Sequence, residues 1–186
     1  MELFWARGYE HASVAALGEA MGLSPPSLYA AFGSKEQLFR EACDLYGDVE
    51  GDIWLAMDAP NALEAVAQFL ERTARSFTRP DKPRGCMIVL GGLHADAEEP
   101  SVAEEMRARR ATSFDQLKAR FDRAVSEGDL AEGVDTAAMA RFYVAVQNGM
   151  AIQARDGADY DALMQVARGA LLAWPELTKP RPRRPS

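Results

Sequence analysis

No segment of this 186-residue chain sustains the two-residue apolar–polar alternation of a half-buried strand, and no Asn-Gly hairpin turn joins two such runs. The one strand-like stretch, Cys86-Met87-Ile88-Val89-Leu90, is short, ends in Gly91-Gly92 and is surrounded by helical patterning. It reads as a buried helical turn. Everywhere else apolar residues recur three and four apart, so the expected fold is all-α with about nine helices.

Helix punctuation sets the order. Residues 2–7 read as the last turns of a helix stopped at Gly8, so a first helix is truncated at the chain's start. Ser13 to Ala20 is a short second helix with Val14, Leu17 and Met21 inward, and Gly22 supplies the turn. Ser24 has the position of an N-cap, with Pro25 at the first helical place, where a missing N–H costs nothing. This third helix runs to Phe32 and stops at Gly33. Ser34 and Gln37 have capping-box spacing and open a fourth helix through Tyr46. Asn61 caps a fifth to Phe77, and a sixth covers Gly85 to Ala95. Pro100 opens a seventh ending near Gly128, Asp135 caps an eighth to Arg155, and Asp159 caps a ninth that Pro175 ends.

Composition excludes several classes. No apolar run reaches the roughly 20 residues of a membrane span, and Met1 to Trp5 lack the basic start of a signal peptide, so a cytoplasmic protein is expected. Two cysteines, Cys43 and Cys86, far apart, make neither a disulfide scaffold nor a Cys-based zinc site. No metal and no cofactor is expected. With only His11 and His94, no Ser/His/Asp set, P-loop or HExxH spacing exists, so no catalytic residue is assigned. His94 beside Asp96, Glu98 and Glu99 is the minor metal reading. The net charge of −7 argues against a protein that coats nucleic acid through bulk electrostatics. It leaves room for a local DNA-reading head on an acidic body.

The informative window is residues 8–39. Two short amphipathic helices meet at a tight glycine turn, and a cap marks where the second begins, which is a helix-turn-helix. Leu28 and Phe32 face inward, while Pro25, Pro26, Ser27, Tyr29 and Ala30 face out. Gly8-Tyr9, Gly22, Leu28-Tyr29, Phe32 and Ser34-Lys35 together closely resemble the head of TetR-family transcriptional regulators. The resemblance implies a helix-turn-helix head at 1–46 and a ligand-binding and dimerisation body at 47–177, and the Pro/Arg-rich composition of 178–186 reads as a disordered basic tail. It implies an operator in double-stranded DNA contacted by Ser13, Ser24, Pro25, Ser27, Tyr29 and Lys35, with Lys35 reaching a phosphate. Pro25, Pro26, Ala30 and Ala31 stand where many relatives carry donors, so base reading leans on Ser27, backbone and apolar contact with thymine methyls. The family's basic lead-in before Leu3-Phe4 is absent here or lies upstream.

The body's Met and aromatic stripe is mostly core, and part of it is expected to line an apolar pocket: Cys86, Met87, Phe114, Phe121, Phe142, Tyr143 and Gln147. Gln147 and Asn148 fit either that pocket or a dimer seam. The seam is expected on the last two helices, with Ala138, Ala145 and Gly149 allowing close approach and Phe142 and Leu171 supplying apolar area. The resemblance implies a homodimeric repressor released by a small, mostly apolar effector. Cys86 as a thiol sensor, and a helical sensor or interaction protein that no longer binds DNA, are the alternatives.

Overall fold

The computed structural model describes residues 1–91 and 100–180, and every described element is helical. Helices α1 (Glu2–His11), α2 (Val14–Met21), α3 (Pro25–Phe32) and the start of α4 (Lys35–Glu50) form the head. A 3-10 segment (Gly51–Asp58), α5 (Ala62–Phe77), the single turn α6 (Met87–Leu90), α7 (Pro100–Ser126), α8 (Thr136–Arg155), α9 (Tyr160–Leu171) and the single turn α10 (Trp174–Leu177) form the body.

The expected caps are made. Ser13, Ser24, Ser34, Asn61, Asp135 and Asp159 each accept a hydrogen bond from the backbone N–H three residues on. This satisfies one of the orphan donors at each helix start. The Ser34 box is only half closed, because Gln37 Nε2 donates to Glu41 one turn on, at 3.5 Å.

Four boundaries differ from expectation. Gly8 does not end α1. It interrupts it at φ 76°, ψ 170°, and helical turns resume to His11. The fourth helix continues past Tyr46 to Glu50 and tightens into the 3-10 segment, because Ile53, Ala56 and Trp54 pack on α5. The Cys86–Leu90 run is one helical turn, and the rest of the expected sixth helix, with His94 and its acidic neighbours, lies outside the described residues. Pro175 sits in the first turn of α10, where proline is tolerated, instead of ending α9. Met21, expected inward, is 41% exposed, and Phe32 is half-buried. The tail from residue 181 onward lies outside the described residues.

One apolar core runs through both halves. In the head, Phe39 of α4 takes the ring edges of Phe4 and Tyr9 at 5.0 and 5.1 Å, and Leu17 and Leu28 close it from α2 and α3. In the body, α5 packs on α8 and α9, and α7 on α8, around Phe69, Leu70, Met106, Leu117, Phe121 and Met150. Each such side chain contributes about 1.5–3 kcal/mol by leaving water.

The kink at Gly8 ties head to body. Tyr9 N–H turns away from Trp5 and donates to Gly91 O at 3.4 Å. The Trp5 and Ala6 carbonyls receive instead the guanidinium of Arg155, from the last turn of α8. A cation at a helix C-terminus is electrostatically favoured, and here it also replaces lost backbone bonds.

Candidate DNA interface and body cavity

In the head, α2 and α3 meet closely because residue 18 is glycine. A Cβ there would stand 2.6 Å from Leu23 O, and Leu23 N–H donates to Gly18 O at 2.8 Å. Gly22 closes α2 in the left-handed region at φ 66°. This fixes α3 with Leu28 fully buried and Pro25, Pro26, Ser27, Tyr29 and Ala30 exposed. Tyr29 is 47% exposed, a large ring left in solvent on the helix that a helix-turn-helix presents to the major groove.

The expected contact residues divide by task. Ser13 and Ser24 are caps, accepting from Ala16 N and Ser27 N at 3.1 and 3.3 Å. Ser24 Oγ also pairs with Ser27 Oγ at 2.9 Å, so Ser27 keeps hydrogen-bonding capacity facing out. Lys35 opens α4, with its ammonium 4.3 Å from the Tyr9 ring centroid and donating to Glu10 O at 3.5 Å. That contact holds a cation beside the positive end of α4, where phosphate is favoured.

The body holds a cavity of about 250 Å³. Its walls come from the C-terminal half of α4 (Cys43, Tyr46, Gly47, Glu50), the 3-10 segment (Ile53, Trp54), α6 (Ile88, Val89), α7 (Arg109, Thr112, Ser113, Gln116) and α8 (Gln147, Asn148). Of the residues expected to line a pocket, Cys86 and Gln147 do so. Met87 is sealed in the core beside them. Phe121 meets Trp174 edge-on and Tyr143 meets it at a tilt, 6.3 and 6.4 Å between centroids, and neither lines this cavity. Phe142 packs edge-on against Tyr143, and Phe114 is covered by the Arg141 guanidinium. Phe121, Phe142 and Tyr143 are taken up by ring–ring packing, and Phe114 by the guanidinium. Sequence reasoning passed over Tyr46, Glu50, Trp54 and the α7 wall. A signal for the last was present: Arg109, Thr112, Ser113 and Gln116 form a polar stripe at helical spacing.

Both cysteines sit at this cavity as free thiols. Burial pushes Cys43 up to about 12, with Arg109 opposing only in part, and burial raises Cys86 as well. Tyr46 donates its phenol proton to Cys86 Sγ at 3.3 Å. These are the surroundings of inert thiols, since reactivity needs a lowered pKa. Among the described residues no cluster of three or more His, Cys, Asp or Glu fits a metal ion, and no helix is long and apolar enough to cross a membrane.

A helix-turn-helix head on an all-helical, cavity-bearing body defines a class of DNA-binding regulators. The comparisons narrow it. Residues 1–42 match the family described as "Bacterial regulatory proteins, tetR family", and residues 62–170 match "Tetracyclin repressor-like, C-terminal domain". The chain is 34% identical to the HTH-type transcriptional repressor ComR of Escherichia coli (strain K12), over 96% of this chain and 87% of ComR. It is 30% identical to the repressor BdcR of the same organism, over 89% and 80% of the two chains. The fold superposes on a cysteine mutant of the TetR family regulator CifR complexed with 26-base-pair operator DNA. There the TM-score is 0.90 at 44% identity, covering 94% of this chain and 92% of that one. The chain therefore belongs to the TetR family of transcriptional regulators, whose members are DNA-binding regulators and not enzymes.

Proposed function

We propose that this chain is a homodimeric repressor that binds a two-fold operator through α3 and is released from it by a small molecule in the body cavity. The observation that carries the reading is the double use of α4. Its first turns hold Lys35 and the head's Phe39, and its last turns supply Cys43, Tyr46, Gly47 and Glu50 to the cavity wall. A ligand that shifts the C-terminal half of α4 moves the head with it, because Phe39 is locked between Phe4 and Tyr9. Two heads read two half-sites only at one spacing, about 34–36 Å, so a small displacement is enough to lower affinity. A tenfold loss needs about 1.4 kcal/mol of preference for the displaced arrangement.

Dimerisation is supported by what α8 and α9 leave uncovered. Phe142, Ala145, Gly149 and Ile152 recur at helical spacing on α8 without full burial, and α9 ends at Leu171 with Leu172 82% exposed. The repressors ComR and BdcR support repression as the direction of control. The deciding experiment is a gel shift on DNA flanking the protein's own gene, repeated with cavity ligands found by thermal shift. A specific complex that such a ligand dissolves supports the reading. Absence of any specific complex overturns it.

A further inference from the structure

The cavity wall has two chemical characters. Its charged groups already have partners: Glu50 has Lys82 and Ser76 Oγ at 3.0 Å, Arg109 has Asp44 and Glu105 at 2.7 Å each, and Arg110 has one too, although its Nη1 is buried without a hydrogen bond. A ligand with formal charge would have to lose its water and compete with pairs that already exist, a poor exchange in a half-enclosed site.

The neutral polar groups differ. Gln147 is 5% exposed, lines the cavity, and its amide makes no hydrogen bond among the described residues. Its amide atoms keep contact with the cavity space, so a ligand oxygen can accept from the amide N–H in place of water. Tyr46 is also 5% exposed, and its hydroxyl proton goes to a thiol sulfur, a weak acceptor that a ligand oxygen outcompetes. Ile53, Trp54 and Phe77 supply apolar surface to the same cavity wall. The volume, about 250 Å³, lies below the roughly 300–1,000 Å³ of drug-sized sites, so the occupant is small.

We propose, resting on the ligand-release reading above, that the cavity takes a small molecule without formal charge that carries an oxygen acceptor. Gln147 and Tyr46 hydrogen-bond that oxygen, and Ile53, Trp54 and Phe77 pack on the apolar remainder.

Three probes of similar size test this on the full chain by calorimetry. Acetophenone has a carbonyl oxygen and no charge, ethylbenzene has neither, and benzoate is an anion at neutral pH. Acetophenone is expected to bind about fivefold or more tighter than either. Gln147→Met keeps the bulk and removes the amide, so it weakens acetophenone by about five- to tenfold and leaves ethylbenzene unchanged. Tyr46→Phe asks the same of the second donor and stands in if Gln147→Met does not fold. Benzoate binding as tightly as acetophenone, no binding by any probe, or undiminished acetophenone affinity in both variants overturns the proposal. A gel shift with acetophenone separates this from the release reading. Acetophenone that binds through Gln147 while the operator complex persists supports the ligand class and overturns release.

Discussion

Leu28, Ser27 and Lys35 lie within a few residues of one another and do different work. Leu28 has no exposure and joins α3 to the head core. Leu28→Ala is expected to cost about 2–5 kcal/mol in urea unfolding and to lose operator binding with it. Ser27 and Lys35 carry little of the core, so Ser27→Ala and Lys35→Ala are expected to fold normally. On a demonstrated operator, Lys35→Ala weakens all sequences alike and flattens the salt dependence of log K by about one unit per head. Ser27→Ala changes the ranking of operator variants instead. Unchanged affinity and ranking in both would remove these contacts. Cys43 makes a pH prediction. Its folded pKa is raised from the ordinary 9.0 to about 12, so the neutral thiol's contribution to stability is whole below pH 9 and is lost as pH rises toward 12. The reason for the sign is that the unfolded thiol ionises first. Wild type should therefore lose stability relative to Cys43→Ala when urea midpoints are compared from about pH 8 to about pH 11.

At the scale of elements, two joints hold the head in place. The first is the α2–α3 turn, where a side chain at residue 18 would press on the Leu23 carbonyl, which is backbone and cannot swing aside. Gly18→Val is expected to destabilise by about 1–3 kcal/mol in thermal unfolding. Wild-type stability in that variant would show that α2 slides without cost. The second joint is Arg155. It links the end of α8, the helix with the exposed apolar face, to two carbonyls of α1 in the head. Arg155→Met is expected to speed amide exchange in α1 well before α5 or α7, because those carbonyls lose their donor while the Tyr9–Gly91 bond remains. Uniform protection across the chain would show that the joint is ornamental to α1.

At the scale of the whole molecule, the body's uncovered α8 face and the proposed two-fold operator lead to one expected assembly, a dimer. Sedimentation at micromolar concentration is expected to give twice the chain mass. Ile152→Glu, at a position 46% exposed in the single chain, is expected to give the monomer while leaving its fold intact. The monomer binds one half-site and so loses most operator affinity, which gel shift reads directly. A wild-type monomer would end the dimer model. The acidic body is compatible with DNA binding because surface charge beyond about 8–10 Å is screened at physiological salt.

The local code of this chain was legible without its structure. Capping serines and aspartates, Pro25 after Ser24, and glycines at 22 and 33 mark α2 to α4 because each acts through bonds within a few residues. Helical class followed from apolar period, and the family from punctuation falling in register over residues 8–39. What only the tertiary structure decided is which apolar and polar side chains meet. Phe121 and Tyr143 look like pocket residues in sequence but face Trp174, which is thirty residues and more away along the chain. Gln147, Tyr46 and the polar stripe of α7 come together at one cavity because α4, α7 and α8 each give part of its wall. Helical period specifies which residues share a face of one helix. It carries no information on which partner that face meets, since packing angles and the void left between helices depend on all their side chains at once.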